Sequence, residues 1–388
     1  MMSNSIGVNE LTVKLEEAYS IGRVEAIESV ACDEEELLNQ NVDSSLLSNF
    51  RVMTSEGQFF LKRVGSWVDD RQLACIEHFL RWTCSRDLPL SPALVCTSSD
   101  ESHIRFGDSR YQLFEFLEQE KRQIWMHSDL TREDCKLAGQ LLGRFRKISS
   151  DYLEWLKNAC SDREAPSVNS WKPSVISNTK SGWNQLLERA NNNSQPALQR
   201  LSELRKPLTE TLEDALKLVL SASPAGDMSL VHGDFHPGNI LFNTGPSRAK
   251  SAWLVDYDLM HSEESTYDLG YALVMFAYRP GVTGNETGSG GAPAYIDQSM
   301  ALSFLEGAFF SSPADVLIDR HQPESLICYM TISCFLIIDW AEERMRNGLP
   351  IFSEIYARII NDMVDLLIGK DFEQTKLIYL QVMKEIHS

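Results

Sequence analysis

The sequence predicts an α+β protein of two lobes, a small β-rich N-lobe over residues 1–117 and a larger, mainly helical C-lobe over 118–388. Three observations predict it. The chain has 388 residues, more than one small fold holds. Its first part reads mostly as strands: "RVEAIESVA" alternates, "NFRVMTSEGQFFLKRV" is a hairpin turning at Ser55-Glu56-Gly57, and "LPLSPALVCT" and "YQLFEFLEQ" are further β-rich runs. Beyond them the apolar residues recur at helical spacing.

Taken in order, residues 11–19 form a short helix, and the acidic "DEEELLNQNVDSS" is a solvated loop. Residues 69–84 form an amphipathic helix with Leu73, Ile76, Phe79 and Leu80 on one stripe. "TREDCKLAGQLLGRFRKIS" starts a helix at Thr131, with Asp134 three residues on, close to a capping box. Helices follow at 151–160, 180–192 and 197–221, and "SASPAGDM" breaks the pattern. Residues 280–294 hold five glycines and read as a loop; from 295 onward the pattern is helical, interrupted at Pro350.

Composition narrows the function classes. The formal net charge of −19 leaves no basic stripe for phosphate contacts, which excludes a nucleic-acid binder and suits a cationic small partner. The eight cysteines are scattered without a C-x-x-C pair, as reduced thiols of a cytoplasmic protein are. The N-terminus lacks a basic region followed by an apolar core, so no signal peptide is expected. The longest apolar run, Leu326–Ile338, has thirteen residues, which predicts a buried core helix and no membrane span.

The chemistry concentrates in Leu230–Phe242, "LVHGDFHPGNILF". His232 and His236 are four apart, as two metal ligands on a helix are, but Gly233, Pro237 and Gly238 disfavour a helix there. A better account pairs the loop with the next strand, "AWLVDYD". Asp234 is placed to take or orient a proton from an attacking hydroxyl. Asn239 and Asp256 offer oxygen ligands to a hard cation such as Mg²⁺. A base five residues ahead of an amide ligand, with a metal-binding Asp at the next strand's end, is a kinase-type solution to phosphoryl transfer. The same solution needs an upstream strand lysine for the nucleotide phosphates and a helix glutamate to hold it, which points to Lys62 and Glu77. Glu115, Phe116 and Leu117, at the end of "YQLFEFLEQ", are then placed to present backbone groups to an adenine edge.

"HGDFHPGNILF", "WLVDYD" and "YDLGYAL" together resemble the aminoglycoside phosphotransferase and choline/homoserine kinase-like superfamily over roughly residues 20–345. The resemblance implies a bilobal protein-kinase-like fold, with a catalytic loop at 230–243 and a metal-binding strand end at 252–258. It implies ATP and Mg²⁺ as cofactors. Asp234 becomes the catalytic base, Asn239 and Asp256 the metal ligands, Lys62 and Glu77 the phosphate-gripping ion pair, and Asp268 a buried brace for the loop. The sequence departs from the family pattern in three places. The turn "NVDSSLLSNFRV" lacks glycine, Arg146 stands where a histidine is common, and Asp258 adds a second carboxylate after Asp256.

Three rival classes fit less well. A haloacid-dehalogenase-type phosphatase shares the strand-terminal D-x-D but wants a doubly wound α/β pattern. A bacterial-type Ser/Thr protein kinase of the same fold wants an activation segment longer than "LMHSEESTYDLG". An inactive nucleotide-binding module would have lost the base or a metal ligand. The expected partner is therefore a small-molecule hydroxyl acceptor. Asp339 and Trp340, beside Glu342 and Glu343, suit a cationic one such as an amino alcohol or aminoglycoside, and Asp258 is a further acceptor candidate. Glu342 and Arg346 are also spaced i, i+4 for a surface salt bridge.

Overall fold

The computed structural model describes residues 3–30, 49–88, 90–117, 121–122, 130–158, 166, 176–191, 193–222, 228–243, 251–281, 292–310, 323–347 and 353–386. The acidic loop, the glycine-free turn up to residue 48, Pro350 and most of the glycine-rich segment lie outside them. The chain divides into two compact units. The first comprises Met1–Ile124, Glu154–Trp171 and Leu241–Leu259, and the second Trp125–Leu153, Lys172–Ile240 and Met260–Ser388.

In the first unit, helix α1 (Ser3–Ala18) precedes β1 (Val24–Ser29), β2 (Asn49–Thr54) and β3 (Gly57–Arg63). Helix α2 (Asp70–Cys84) follows, then β4 (Leu94–Val95), β5 (Ile104–Phe106), β6 (Ser109–Glu115) and β7 (Lys121–Arg122). Strands β1 to β6 form one antiparallel sheet in the order β1-β2-β3-β6-β4, with β5 also on β6. Its core gathers Leu15, Ile21, Val52, Leu61 and Leu113. Helix α2 starts where Asp69 accepts the Gln72 N–H, and its predicted stripe of Leu73, Ile76, Phe79 and Leu80 is buried.

The second unit is mostly helical. Helix α3 (Arg132–Asn158), whose residues from Glu154 onward are counted with the first unit, is one continuous helix where the sequence suggested two. It opens on a reciprocal capping box, the Thr131 N–H donating to Asp134 and the Asp134 N–H to the Thr131 hydroxyl. Next come α4 (Ile176–Ala190), α5 (Pro196–Glu203) and α6 (Arg205–Ala222). The predicted 197–221 helix is divided at Leu204, the C-cap of α5. Strand β8 (Met228–Val231) leads to a short 3₁₀ turn, Pro237–Asn239, and to β9 (Ile240–Asn243), where the chain returns to the first unit. Strand β10 (Ser251–Leu254) follows and, with β7 and β9, makes a small sheet of order β10-β9-β7. A second 3₁₀ turn, Tyr257–Leu259, precedes β11 (His261–Glu264), which pairs with β8.

Helix α7 (Thr266–Ala277) leads to β12 (Tyr278–Arg279), β13 (Tyr295–Ile296), α8 (Gln298–Phe310), α9 (Pro323–Asn347), α10 (Ser353–Ile368) and α11 (Asp371–Ile386). Helix α9 extends the thirteen-residue apolar run at both ends. By length and composition it is long enough to cross a membrane, but 67% of its most apolar window is buried inside the protein. That burial is what the predicted core helix requires.

Two helices approach unusually closely. A Cβ on Gly139 of α3 would lie 2.1 Å from the Phe304 carbonyl oxygen, and one on Gly307 of α8 would lie 2.1 Å from that of Lys136. The two glycines remove the side chains that would otherwise hold the backbones apart. Because the blocking atoms are backbone, Gly139→Ala is expected to destabilise the protein by about 1–3 kcal/mol, as overpacking does. Thermal unfolding checks this as a fall of several degrees in Tm.

Candidate active site

The first cluster belongs to the β-rich unit and is built around a buried cation. Lys62 lies on β3 with its side chain only 12% exposed. Its ammonium donates to Asp256 Oδ1 at 2.9 Å and makes a still closer bond to Asp258 Oδ1. The other oxygen of Asp258 accepts the Gly65 N–H at 2.9 Å, so this buried carboxylate ties the end of β3 to the turn after β10. Burial alone would push the Lys62 ammonium down, but the charges and hydrogen bonds of Asp256 and Asp258 outweigh it and raise its pKa to about 12. Asp256 sits just beyond β10 with φ +66°, in the left-handed region that few residues other than glycine, asparagine and aspartate enter. Tyr257 anchors the turn by packing on Phe79 of α2 at 6.3 Å.

Two expected roles change here. Glu77, expected to hold Lys62, instead receives His103 Nδ1 at 2.9 Å and Gln112 Nε2 at 3.2 Å. Gln112 is the cross-strand partner of Lys62 and takes the carboxylate, while the lysine turns to two aspartates. Asp258, expected at the acceptor, has both oxygens engaged by Lys62 and Gly65. At the end of β6, the Glu115 N–H donates to Ala93 and the Phe116 N–H to Gln58, while Arg51 lies 4.9 Å over the Phe116 ring. Neither of these two amides is open to a base edge, which leaves the carbonyls of this stretch and the Leu117 backbone for that reading.

The second cluster belongs to the helical unit. Asp268, in the first turn of α7 and 1% exposed, accepts the N–H of His232 at 2.6 Å and that of Gly233 at 3.0 Å. Gly233 has φ +84°, which lets the chain turn sharply after β8. Burial raises the Asp268 pKa to about 7, against the opposing pull of those two amides and Arg146. Arg146 is buried on α3 and bonds the Ser265 hydroxyl at 2.9 Å. His232 packs edge-on to Phe145 and Phe235 beneath the loop.

Asp234 follows, with its side chain 25% exposed. Its Oδ1 accepts the Tyr271 hydroxyl at 2.9 Å. Its Oδ2 accepts the Asn239 amide at 3.1 Å and faces His236 Nε2 at 3.3 Å. Because the Gly238 N–H donates to His236 Nδ1 at 3.0 Å, the neutral ring carries its proton on Nε2 and points it at Asp234. Burial alone would raise the Asp234 pKa, but His236, His232 and the Tyr271 hydroxyl lower it to about 2. Burial and the neighbouring Asp234 charge hold the Tyr271 phenol well above its usual pKa, so it stays a donor. Neither His236 nor Tyr271 stood out as a partner of Asp234 in the sequence, although the i+2 and i+37 positions both lie in the quoted motifs.

The donor chemistry fits a hard cation with few protein ligands. Asn239 donates its amide nitrogen twice to Asp234, at 2.9 and 3.1 Å, which turns its side-chain oxygen away from the base. The Asp256 side chain is 46% exposed. Among the described residues no group of three or more His, Cys, Asp or Glu side chains is arranged to hold a metal. Taken separately, the amide of Asn239 and the carboxylate of Asp256 are each oxygen donors of the kind Mg²⁺ takes.

Asp339 and Trp340 lie on α9, within the helical unit. Asp339 faces Arg189 at 3.4 Å, and Arg189 also grips the buried Glu342 at 2.7 Å. Arg346 reaches Glu342 at 3.6 Å, the helical pair that the spacing allowed. Trp340 packs on Tyr356 at 5.6 Å and under Arg344 at 5.8 Å. Both therefore already engage cations of the protein itself.

The sequence model of the phosphotransferase enzyme family, APH, matches residues 40–292. No curated protein matches the chain at a significant level. Among solved structures the chain is similar to a spectinomycin phosphotransferase determined with ADP and spectinomycin, at 14% identity and TM-score 0.60, covering 96% of this chain and 98% of that one. It is also similar to an aminoglycoside phosphotransferase from Alicyclobacillus acidocaldarius (15% identity, TM-score 0.58, 97% and 96% covered). A microcompartment-associated aminopropanol kinase is a third (13% identity, TM-score 0.58, 95% and 99% covered). At such identities the likeness is one of fold.

The depressed pKa of Asp234 has a signed consequence. Between about pH 2 and 4 the folded protein holds fewer protons at this site than the unfolded chain, so its contribution is full above about pH 4 and lost as pH falls toward 2. Urea unfolding is expected to show Asp234→Asn less stable than the parent at pH 7, with the gap narrowing at pH 3. A gap that stays constant across this range would contradict the stabilised charge.

Proposed function

Because this chain belongs to the phosphotransferase enzyme family and has its protein-kinase-like α+β fold, we propose that it moves the γ-phosphoryl group of Mg-ATP to a hydroxyl of a small molecule, an amino alcohol or aminoglycoside. The observation that carries the reading is Asp234, an ionised carboxylate fixed by Tyr271, Asn239 and His236 on a loop clamped by Asp268. Lys62, kept charged at any working pH, takes the phosphate role. Asp256 and Asn239 are the residues that would hold Mg²⁺, which when bound neutralises phosphate charge. A carboxylate with a pKa near 2 is a weak base, so Asp234 orients the acceptor hydroxyl and receives its proton late. That suits phosphoryl transfer through a loose transition state, in which the nucleophile needs alignment more than early deprotonation.

A protein acceptor is not favoured. The segment between the second 3₁₀ turn and α7 is taken up by β11, paired residue for residue with β8 from His261 to Glu264. It forms no extended platform for a peptide. Spectinomycin and aminopropanol, named with two of the similar enzymes, both carry hydroxyl and amine groups, and the acidic composition suits a cationic acceptor.

A coupled ADP-release screen tests this reading, with amino alcohols, aminoglycosides, homoserine, sugars and a generic protein as acceptors. Turnover is expected with a small acceptor and a fall of about 10²–10⁴ in Asp234→Asn. Turnover with the protein alone would refute the small-molecule reading. The same assay separates the two candidates for holding Lys62. Asp258→Asn is expected to raise the KM for ATP by about tenfold, the value of a charge-assisted hydrogen bond, and Glu77→Gln to raise it less. The reverse order would return that role to Glu77.

A further inference from the structure

The two oxygens of Asp234 are not equivalent. A carboxylate oxygen accepts about two hydrogen bonds. Oδ2 already faces two donors, the Asn239 amide and His236 Nε2. Among the described residues Oδ1 receives only the Tyr271 hydroxyl, and it is therefore the oxygen with a position left for an incoming hydroxyl. An acceptor bound there lies beside the Tyr271 phenol. The phenol points its one proton at Asp234, so toward the acceptor it presents lone pairs alone. Its ring is held by α7 and by a parallel stack on Tyr267, 6.4 Å between centroids and 5° between planes, and the residue is only partly buried.

We propose that Tyr271 determines acceptor specificity, its oxygen accepting a hydrogen bond from an N–H or O–H on the carbon next to the reacting hydroxyl. Two donors on the two lone pairs of one carboxylate oxygen stand somewhat less than two hydrogen-bond lengths apart, and a gauche substituent on that carbon, one such length from the reacting oxygen, bridges the gap to the phenol oxygen. The compounds selected are 1,2-amino alcohols with N–H groups and vicinal diols. A quaternary ammonium, equally charged but without a donor, leaves the phenol oxygen unpaired, and a site built around a polar group discriminates against ligands that leave it so. The inference rests on the phosphotransfer reading above and adds the donor requirement to it.

The test uses the full-length protein with Mg-ATP and two pairs of acceptors, ethanolamine against choline and ethylene glycol against 1-propanol. The second pair is nearly isosteric and differs in the donor. The parent protein is expected to favour the donor-bearing member of each pair by about tenfold or more in kcat/KM. Tyr271→Phe keeps the ring and its stack, and both ratios are expected to fall toward one while the KM for ATP holds. Ratios near one in the parent, or ratios unchanged in Tyr271→Phe, overturn the inference and leave the phosphotransfer reading standing. So does turnover of a larger acceptor with none of these four. Absence of turnover with every acceptor tried refutes the phosphotransfer reading and this inference with it.

Discussion

The helical unit depends on one carboxylate with almost no access to water. Asp268 holds the amides of two consecutive residues, His232 and Gly233, and so sets the direction in which the chain leaves β8. Burying a carboxylate is unfavourable unless its lone pairs are matched, and here two backbone donors and a nearby arginine match them. With those amides pinned and Gly233 in the left-handed region, the next side chain is aimed. The 3₁₀ turn then brings Asn239 and His236 back onto Asp234, and α7, which carries Asp268, brings Tyr271. One helix thus supplies both the clamp on the loop and the donor on the base.

The β-rich unit solves a similar problem with opposite charge. Lys62 emerges from β3 into a nearly closed environment, where an unpaired ammonium would be strongly disfavoured. Two aspartates from the turn after β10 compensate it, and they differ in kind. Asp258 is buried and tied to the Gly65 amide; Asp256 is half-exposed and held at a backbone angle unusual for an L-residue. The first is suited to fix the lysine, the second to exchange partners.

Much of this was legible in the chain. The capping box at Thr131 and Asp134 and the apolar stripe of α2 are local patterns, and they formed as local patterns do. The glycines and proline of "HGDFHPGN" are enough to rule out a helical two-histidine site, and the loop is indeed a 3₁₀ turn between strands. Less legible was the continuity of α3 through Ser149 and Ser150, where side-chain propensity suggested a break and packing of Ile148, Tyr152 and Leu153 sustained the helix. The membrane-length helix α9 is a related case, since polar flanks extend an apolar run that the surrounding helices bury.

By itself the sequence determined the α+β class, the family, and which loop carries the polar residues, because these follow from periodicity and from a motif whose members lie within thirteen residues. It did not determine which charged groups pair. Lys62 and Asp258 are 196 positions apart, and Tyr271 and Asp234 are 37 apart. Nothing in their local sequence distinguishes Asp258 from Glu77 as the lysine's partner, since both are carboxylates at plausible spacing. Only the tertiary structure decided it, because the strength of a charge pair depends on separation and burial, and both quantities belong to the folded chain.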